Sequence, residues 1–429
     1  MSLSFLRKEG WTMADPADLY GSISLGGEKY LTLRNEIDNS DWGSNHSLLL
    51  ATMMSSFFVW GMLLVIGPLI TNWPVIPTSY FTILLVSSPA GLLSGNLLMG
   101  YLSDRYGRRR IFILTLILGI VGIFGILISL SALEIVVAIF LAEMGFGGDE
   151  TVSLAFMAEQ FPIRYRGKAL IAASNSANIG VAAISAVFLF IPASILDQKA
   201  IFAIMIVVAL AVALLTRSKL PESFRWAYVS KTAPDIKRAR LSRYDYFKFL
   251  VLLSFAITIV LTFALVGYVI GPYEFPQLTS MIAFAYGAAE AIAGVALLLF
   301  INMIGRRKLS VMAYAGGFMS MALFIPYAIY SRSIVILAFL LALNAIFGEM
   351  GWAVRELLQP ELFTTANRGK GIAGVRGVAY VFYIITLFAI SGFSLTDYII
   401  YAVIVWAVGM VASVAWYLRG RETMGASLI

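Results

Sequence analysis

The chain has 429 residues, 60% hydrophobic and 13% charged, with 31 Lys and Arg against 24 Asp and Glu for a net charge of +7. Soluble proteins carry about 25% charged residues, so a soluble globular enzyme is excluded. There is no cysteine and one histidine, His46, which removes disulfides, thiolate metal sites and cysteine nucleophiles and leaves no cofactor or metal to expect. The basic residues stand in short clusters between apolar runs, not on one soluble face, which argues against nucleic acid as a partner.

Residues 1–46 hold seven acidic and four basic residues and no apolar run, and read as a cytosolic N-terminal tail. From Leu48 to Leu418, apolar stretches recur at the roughly 20 residues needed to cross a hydrocarbon core. Twelve spans are expected, at 48–70, 79–102, 111–130, 133–158, 169–191, 200–217, 248–270, 279–303, 309–330, 334–357, 371–391 and 396–418. In lipid each segment must satisfy its own backbone, and the runs are too long for the alternating strands of a barrel. The fold class is therefore an all-α integral membrane protein. An even number of spans puts both termini on one side, and 28 of the 31 basic residues fall there. By the positive-inside bias that side is the cytoplasm, here of a cell (plasma) membrane.

The connection at 218–247 divides the spans six and six, between a six-helix bundle over 47–217 and another over 248–418, with a cytosolic tail over 419–429. Glu159-Gln-Phe-Pro-Ile-Arg-Tyr-Arg166-Gly-Lys follows the fourth span and Glu361-Leu-Phe-Thr-Thr-Ala-Asn-Arg368-Gly-Lys the tenth, 202 residues later. Asp104-Arg-Tyr-Gly107-Arg-Arg after span two matches Asn302-Met-Ile-Gly305-Arg-Arg after span eight. Such ordered matches indicate an internal duplication, and six-plus-six membrane proteins typically bind solute between the halves.

These residues resemble the major facilitator superfamily, and within it the branch of sugar porters and related metabolite:proton symporters, over nearly everything from residue 48 onward. Gly100-Tyr-Leu-Ser-Asp104-Arg105-Tyr-Gly107-Arg108-Arg109 resembles the family's signature loop, echoed by Gly305, Arg306 and Arg307. The Glu159/Arg166 and Glu361/Arg368 blocks, Pro221-Glu222-Ser223-Phe-Arg225-Trp226 and the terminal Glu422-Thr423-Met-Gly425 are similar to sugar-porter signatures. The resemblance implies two pseudo-symmetric six-helix bundles working by alternating access, with these charged motifs as a latch that closes the cytoplasmic side. The repeated seven-residue interval supports Glu159 with Arg166, and Glu361 with Arg368, as clamp pairs. There are departures. The paired glutamines of sugar recognition are absent from span seven, which reads Phe263-Ala-Leu-Val-Gly-Tyr268-Val-Ile-Gly-Pro272, and Gly147-Gly148-Asp149-Glu150 is similar to a segment of phosphate and organic-acid proton symporters.

Charges inside spans are costly and read as functional. Glu143, Asp149, Glu150, Glu290 and Glu349 qualify. At 1.5 Å per residue Asp149 lies about 15 Å from Glu159, near the midplane. No basic partner is expected at that depth, because Arg355 and Arg376 sit nearer the cytoplasmic ends. Acids without a partner take a proton or meet a cation, so proton coupling is expected, led by Asp149, with Glu150 and Glu290 next. Ser174, Asn175, Asn178, Tyr268, Asn344 and Trp352 are the candidates for solute binding, since amides and aromatic faces hold polyols. The expected function is proton-coupled symport of a sugar or related metabolite by a monomer, with solute, protons and the lipid bilayer as partners. Organic acid, phosphate or organic cation transport, uniport, and a non-transporting receptor remain alternatives. An ATP-driven pump lacks its phosphate loop and an aspartyl protease its second midplane aspartate, so no enzyme is expected.

Overall fold

The computed structural model describes residues 35–191, 194–217, 222–223, 226, 243–331, 333–363 and 368–426. Most of the tail before residue 46, most of the 218–247 connection and Arg225 lie outside them. Twelve membrane-length helices follow one another among the described residues. The first six are α1 (Ser44–Asn72), α2 (Thr78–Tyr106), α3 (Arg108–Ile128), α4 (Ala132–Gln160), α5 (Ile163–Phe190) and α6 (Ile195–Arg217). The second six are α7 (Tyr244–Glu274), α8 (Pro276–Phe300), α9 (Arg306–Tyr330), α10 (Ile334–Leu362), α11 (Arg368–Ala389) and α12 (Leu395–Arg419). Eleven are long and apolar enough to cross a membrane; the other, α4, is 29 residues long but interrupted by Glu143, Asp149 and Glu150. Several helices outrun the apolar runs, as α4 does to Gln160 and α10 to Leu362. Hydropathy marks only the part in lipid, while backbone bonding continues through polar turns.

Three of the six helix starts on the face away from the termini are chemically marked. Ser131 and Ser394 cap α4 and α12, each with an acid three residues on that bonds back, as Ser194 and Asp197 do at α6. Within the halves, small residues bring backbones together, the usual device where lipid removes the hydrophobic drive between helices. A Cβ on Gly95 of α2 would fall 2.0 Å from the Met144 carbonyl of α4, and one on Gly61 of α1 would fall 1.8 Å from that of Ala177 on α5. Outward faces are apolar: Ile117, Val121 and Phe124 on α3 and Ile204, Val207 and Val208 on α6 are exposed, as a lipid-facing surface requires.

The halves meet along α5 against α8 and α2 against α11. Advancing six helices turns α2 into α8 and α5 into α11, so each contact maps onto the other, as a pseudo-two-fold axis demands. A further repeat emerges at the far ends of α1 and α7. Val65-Ile-Gly67-Pro68 and Val269-Ile-Gly271-Pro272 recur, and both helices are irregular there: α1 breaks at Val65, and α7 passes through a π-helical turn at Leu265–Val269. Proline removes a ladder donor and accounts for such breaks.

Filling the α1–α5 contact tests this packing. Gly61→Val should destabilise the protein by about 3 kcal/mol, seen as a lowered melting temperature in detergent. Gly392→Ala, at a site with nothing within 4 Å, should leave it unchanged.

Candidate functional site

A cavity of about 20 Å³, room for about one water, lies where α1, α5, α7 and α10 converge. Trp60, Phe263 and Trp352 give it aromatic walls, and Ser174, Asn178, Glu349 and Glu356 its polar ones. Asn178 of α5 donates through Nδ2 to Glu349 Oε2 of α10 at 2.6 Å, and Glu349 Oε1 has no hydrogen-bond partner among the described residues. Trp352 stands edge-on to Phe263 at 5.2 Å between centroids and carries the Arg355 guanidinium 3.9 Å over its ring. Both ends of the half interface are bridged: Asn302 donates to the Arg164 carbonyl (3.1 Å) on the face bearing the termini, and Asn72 to the Pro276 carbonyl (3.3 Å) on the opposite face. The halves thus touch at both ends of their interface, with the cavity between.

The expected solute residues divide. Ser174, Asn178 and Trp352 line the cavity. Asn175 instead donates to the Ala291 carbonyl of α8 at 3.0 Å, lying over Gly294. Asn344 is spent between helices, donating to Ser320 Oγ (3.0 Å) and the Gly317 carbonyl (3.3 Å) of α9. Tyr268 lies behind Phe263, 4.8 Å between ring centroids. Trp60, Phe263 and Glu356 were not anticipated; Phe263 stood in a quoted segment, and an acid beside Arg355 was a readable signal.

The acids divide as well. Asp149 accepts from Ser56 Oγ of α1 and from Thr115 Oγ1 of α3 (3.2 Å), and belongs to the packing of the first half. Glu143 accepts from Ser88 Oγ of α2 at 2.9 Å. The expectation that no basic residue reaches this depth is corrected at Glu150, which pairs with Arg355 Nη2 (3.2 Å) and with Arg376. Glu356 holds the same two arginines, at 2.6 and 2.9 Å. Glu150 is ten residues from its helix end, Arg355 seven and Arg376 eight, depths of roughly 15, 10 and 12 Å; long guanidinium side chains cover the remainder. Glu290 is fully buried, and neither carboxylate oxygen has a hydrogen-bond partner among the described residues.

On the terminus-bearing face the signature residues assemble into one buried array. Glu159 Oε1 accepts from Arg368 Nη1 of the other half at 2.9 Å and from Arg108 Nη2 at 3.3 Å, while its second oxygen takes Ser223 Oγ. Asp104 binds Arg108 and accepts the Lys370 backbone N–H at 3.0 Å, in the first turn of α11, where a helix N-terminus favours an anion. Gly100 permits this approach, since a Cβ there would lie 2.6 Å from that of Ala373. In the other repeat Glu361 accepts from Thr423 Oγ1 (2.6 Å) and lies 3.6 Å from Arg306, and Arg166 of the first half donates across to the Ala426 carbonyl at 2.7 Å. The clamp is thus crossed: Glu159 reaches the arginine of the partner repeat. Arg105 is exposed, over the Tyr106 ring, and Arg225 lies outside the described residues.

A family model described as the Major Facilitator Superfamily matches residues 48–298. The chain belongs to that superfamily. Membership places it among multi-pass membrane transporters, not enzymes. The probable inorganic phosphate transporter 1-8 of Arabidopsis thaliana is 35% identical over 123 residues, 27% of this chain and only 22% of the plant protein's length. A protein of Escherichia coli K12 named for metabolite transport, YaaU, is 23% identical over 385 residues, covering 79% of this chain and 83% of the relative. Among solved structures, the proton:xylose symporter XylE bound to 6-bromo-6-deoxy-D-glucose shares the fold, with a TM-score of 0.70 at 17% identity over 89% of this chain and 97% of that one.

In this member of the superfamily each half also ends on a glutamate that closes the start of its own third helix. Glu222 accepts the backbone N–H of Arg108 (2.9 Å) and Arg109 (3.2 Å); Glu422 accepts those of Arg306 (2.8 Å) and Arg307 (3.2 Å). Gly107, with φ 106°, and Gly305 make the seats, because a Cβ would lie 2.4 and 2.5 Å from the respective carboxylates. Burial pushes the Glu222 carboxyl up despite its backbone donors. Burial would also raise Glu422, but the N–H groups of Met424, Arg306, Arg307 and Thr423 prevail and hold it below the ordinary carboxyl value. A depressed carboxyl contributes stability at neutral pH that is lost as pH falls through its folded value. Glu422→Gln should therefore lower the melting temperature at neutral pH, with the gap to wild type closing below about pH 4. Glu159→Gln leaves Arg108 and Arg368 without their shared anion, a loss of roughly 3–5 kcal/mol for a buried pair, and should favour opening of the terminus-bearing face. With no native cysteine in the chain, faster labelling of Ala177→Cys from that side would register the shift.

Proposed function

We propose that the protein is a secondary transporter that carries a small polar solute, a sugar or related metabolite, in symport with a proton, with Glu349 as the proton-carrying group. The observation that carries this reading is the Asn178–Glu349 hydrogen bond spanning the cavity between the halves, with the second Glu349 oxygen left unpartnered. Opening either face separates α5 from α10, removes the amide donor and admits water to the carboxylate. Reclosing a dry cavity favours the neutral acid, because an unpaired charge there is expensive. If bound solute favours the protonated form, the loaded carrier reorients with a proton and the empty carrier without one. This moves the leading role from Asp149, whose donors Ser56 and Thr115 lie within the first half.

Residues 47–217 and 248–418 act as the two rocking units of a monomer in the plasma membrane, with both termini cytoplasmic, as the 28 basic residues on that side support. The charged signatures and the XylE-like fold support a sugar-like solute. An organic cation is the second reading, favoured by Glu349 beside three aromatic rings; an anion fits less well, because Arg355 and Arg376 are already neutralised by Glu150 and Glu356.

Thermal stabilisation across sugars, carboxylates, phosphate and amines would choose the solute. In proteoliposomes an imposed pH gradient should then drive its accumulation by wild type and by Asp149→Asn, whereas Glu349→Gln should exchange solute without accumulating it. A wild type indifferent to the gradient would be a uniporter, and full accumulation by Glu349→Gln would return the proton to another acid.

A further inference from the structure

Behind the cavity wall lies an acid that the transport reading leaves unused. Glu290, midway along α8, is fully buried, and both of its oxygens lack a hydrogen-bond partner among the described residues. Its position is set by α10: a Cβ on Gly348 would lie 3.1 Å from Glu290 Oε1 and 3.0 Å from the Tyr286 hydroxyl. Glu290 therefore packs against the backbone immediately preceding Glu349 and is not among the residues that line the cavity. The titratable groups around it are Tyr286 on its own helix, Tyr268 on α7 and Glu349 on α10. None is a cation, and the Tyr268 hydroxyl is itself buried without a hydrogen-bond partner among the described residues. Glu356, further along α10, is occupied by Arg355 and Arg376.

A carboxylate with neither donor nor counter-charge is untenable at this depth. We infer that Glu290 is a second proton-holding site, which exchanges its proton through Glu349 and not with water directly. The two carboxyls share no hydrogen bond in the closed conformation, so the step waits for α8 and α10 to bring them into contact; the O–H bond of Glu290 then breaks as one forms on the ionised Glu349 carboxylate. Glu349, now protonated, exchanges that proton with the cavity and donates back to the Glu290 carboxylate, which reverses the transfer. This inference rests on the reading of Glu349 as the proton-carrying group.

Infrared spectroscopy of the purified protein in lipid tests it without any solute. At neutral pH the difference between wild type and Glu290→Gln should contain the carbonyl stretch of a protonated carboxylic acid. In heavy water the deuterium shift of that band should be slowed by about tenfold or more in Glu349→Gln, as for a buried group deprived of its path to solvent. Glu290→Met guards against a folding artefact: an unpartnered neutral acid exchanged for an apolar side chain should not lower the melting temperature, and a clear drop would mean that Glu290 has a structural partner and overturn the assignment. Absence of the band, or its loss on adding sodium at constant pH, would also overturn it. Unslowed exchange in Glu349→Gln would remove the relay while leaving symport through Glu349 intact. A slowed band in a protein whose transport ignores a pH gradient would instead sink the symport reading and keep the relay.

Discussion

In hydrocarbon an ionised group cannot stand alone, and this protein meets that constraint across the seam between its halves. Glu150 from one half is balanced by Arg355 and Arg376 from the other, with Glu356 completing two anions against two cations. Nearer the face bearing the termini, Glu159 is shared between Arg108 of its own half and Arg368 of the other. With Asp104 also on Arg108, the closed arrangement sets four anions against four cations. Separating the halves on that face leaves an excess negative charge on one wall and an excess positive charge on the other, so opening requires water to follow. The charge pattern thus ties the conformational equilibrium to hydration of the interior.

Much of the architecture was legible because lipid leaves few options. Span length, the placement of basic clusters and the duplicated loops follow from the dielectric of the membrane and from its sidedness, and they recover twelve helices and the charged motifs that meet in space. What escaped was lateral. Depth counted along each helix separately kept Arg355 and Arg376 apart from Glu150, although all three reach one level. Ser56 and Thr115 stand 93 and 34 residues from Asp149, and no periodicity couples such distant positions. Asn175 and Asn344 were sensible ligand candidates by residue type, but which amides are consumed by neighbouring backbones depends on which helices touch. The recurrence of Val-Ile-Gly-Pro in α1 and α7 was present in the letters and gained meaning only when both copies coincided with irregular helix ends.

The duplication is strict where the chain is mechanical and relaxed where it is chemical. Glu222 and Glu422 seat on glycines and cap the third helix of each half alike. The crossed contacts of α5 with α8 and of α2 with α11 are likewise interchangeable. The acids do not repeat in position: Asp149 is held by hydroxyls of the first half, and oxygens without a hydrogen-bond partner among the described residues occur on Glu143 and Glu150 in that half and on Glu290 and Glu349 in the other. Both halves thus contribute acids to the interior, and Asn178 of the first half donates to Glu349 of the second across the cavity.

The cavity, with its room for about one water, has an electrical meaning. A continuous file of water would conduct protons and short-circuit the gradient that the surrounding membrane maintains. With hydrogen bonds across both ends of the seam and room for about one water at its centre, the described interior leaves no space for such a file. An idle copy in this conformation therefore offers ions no continuous path across the membrane.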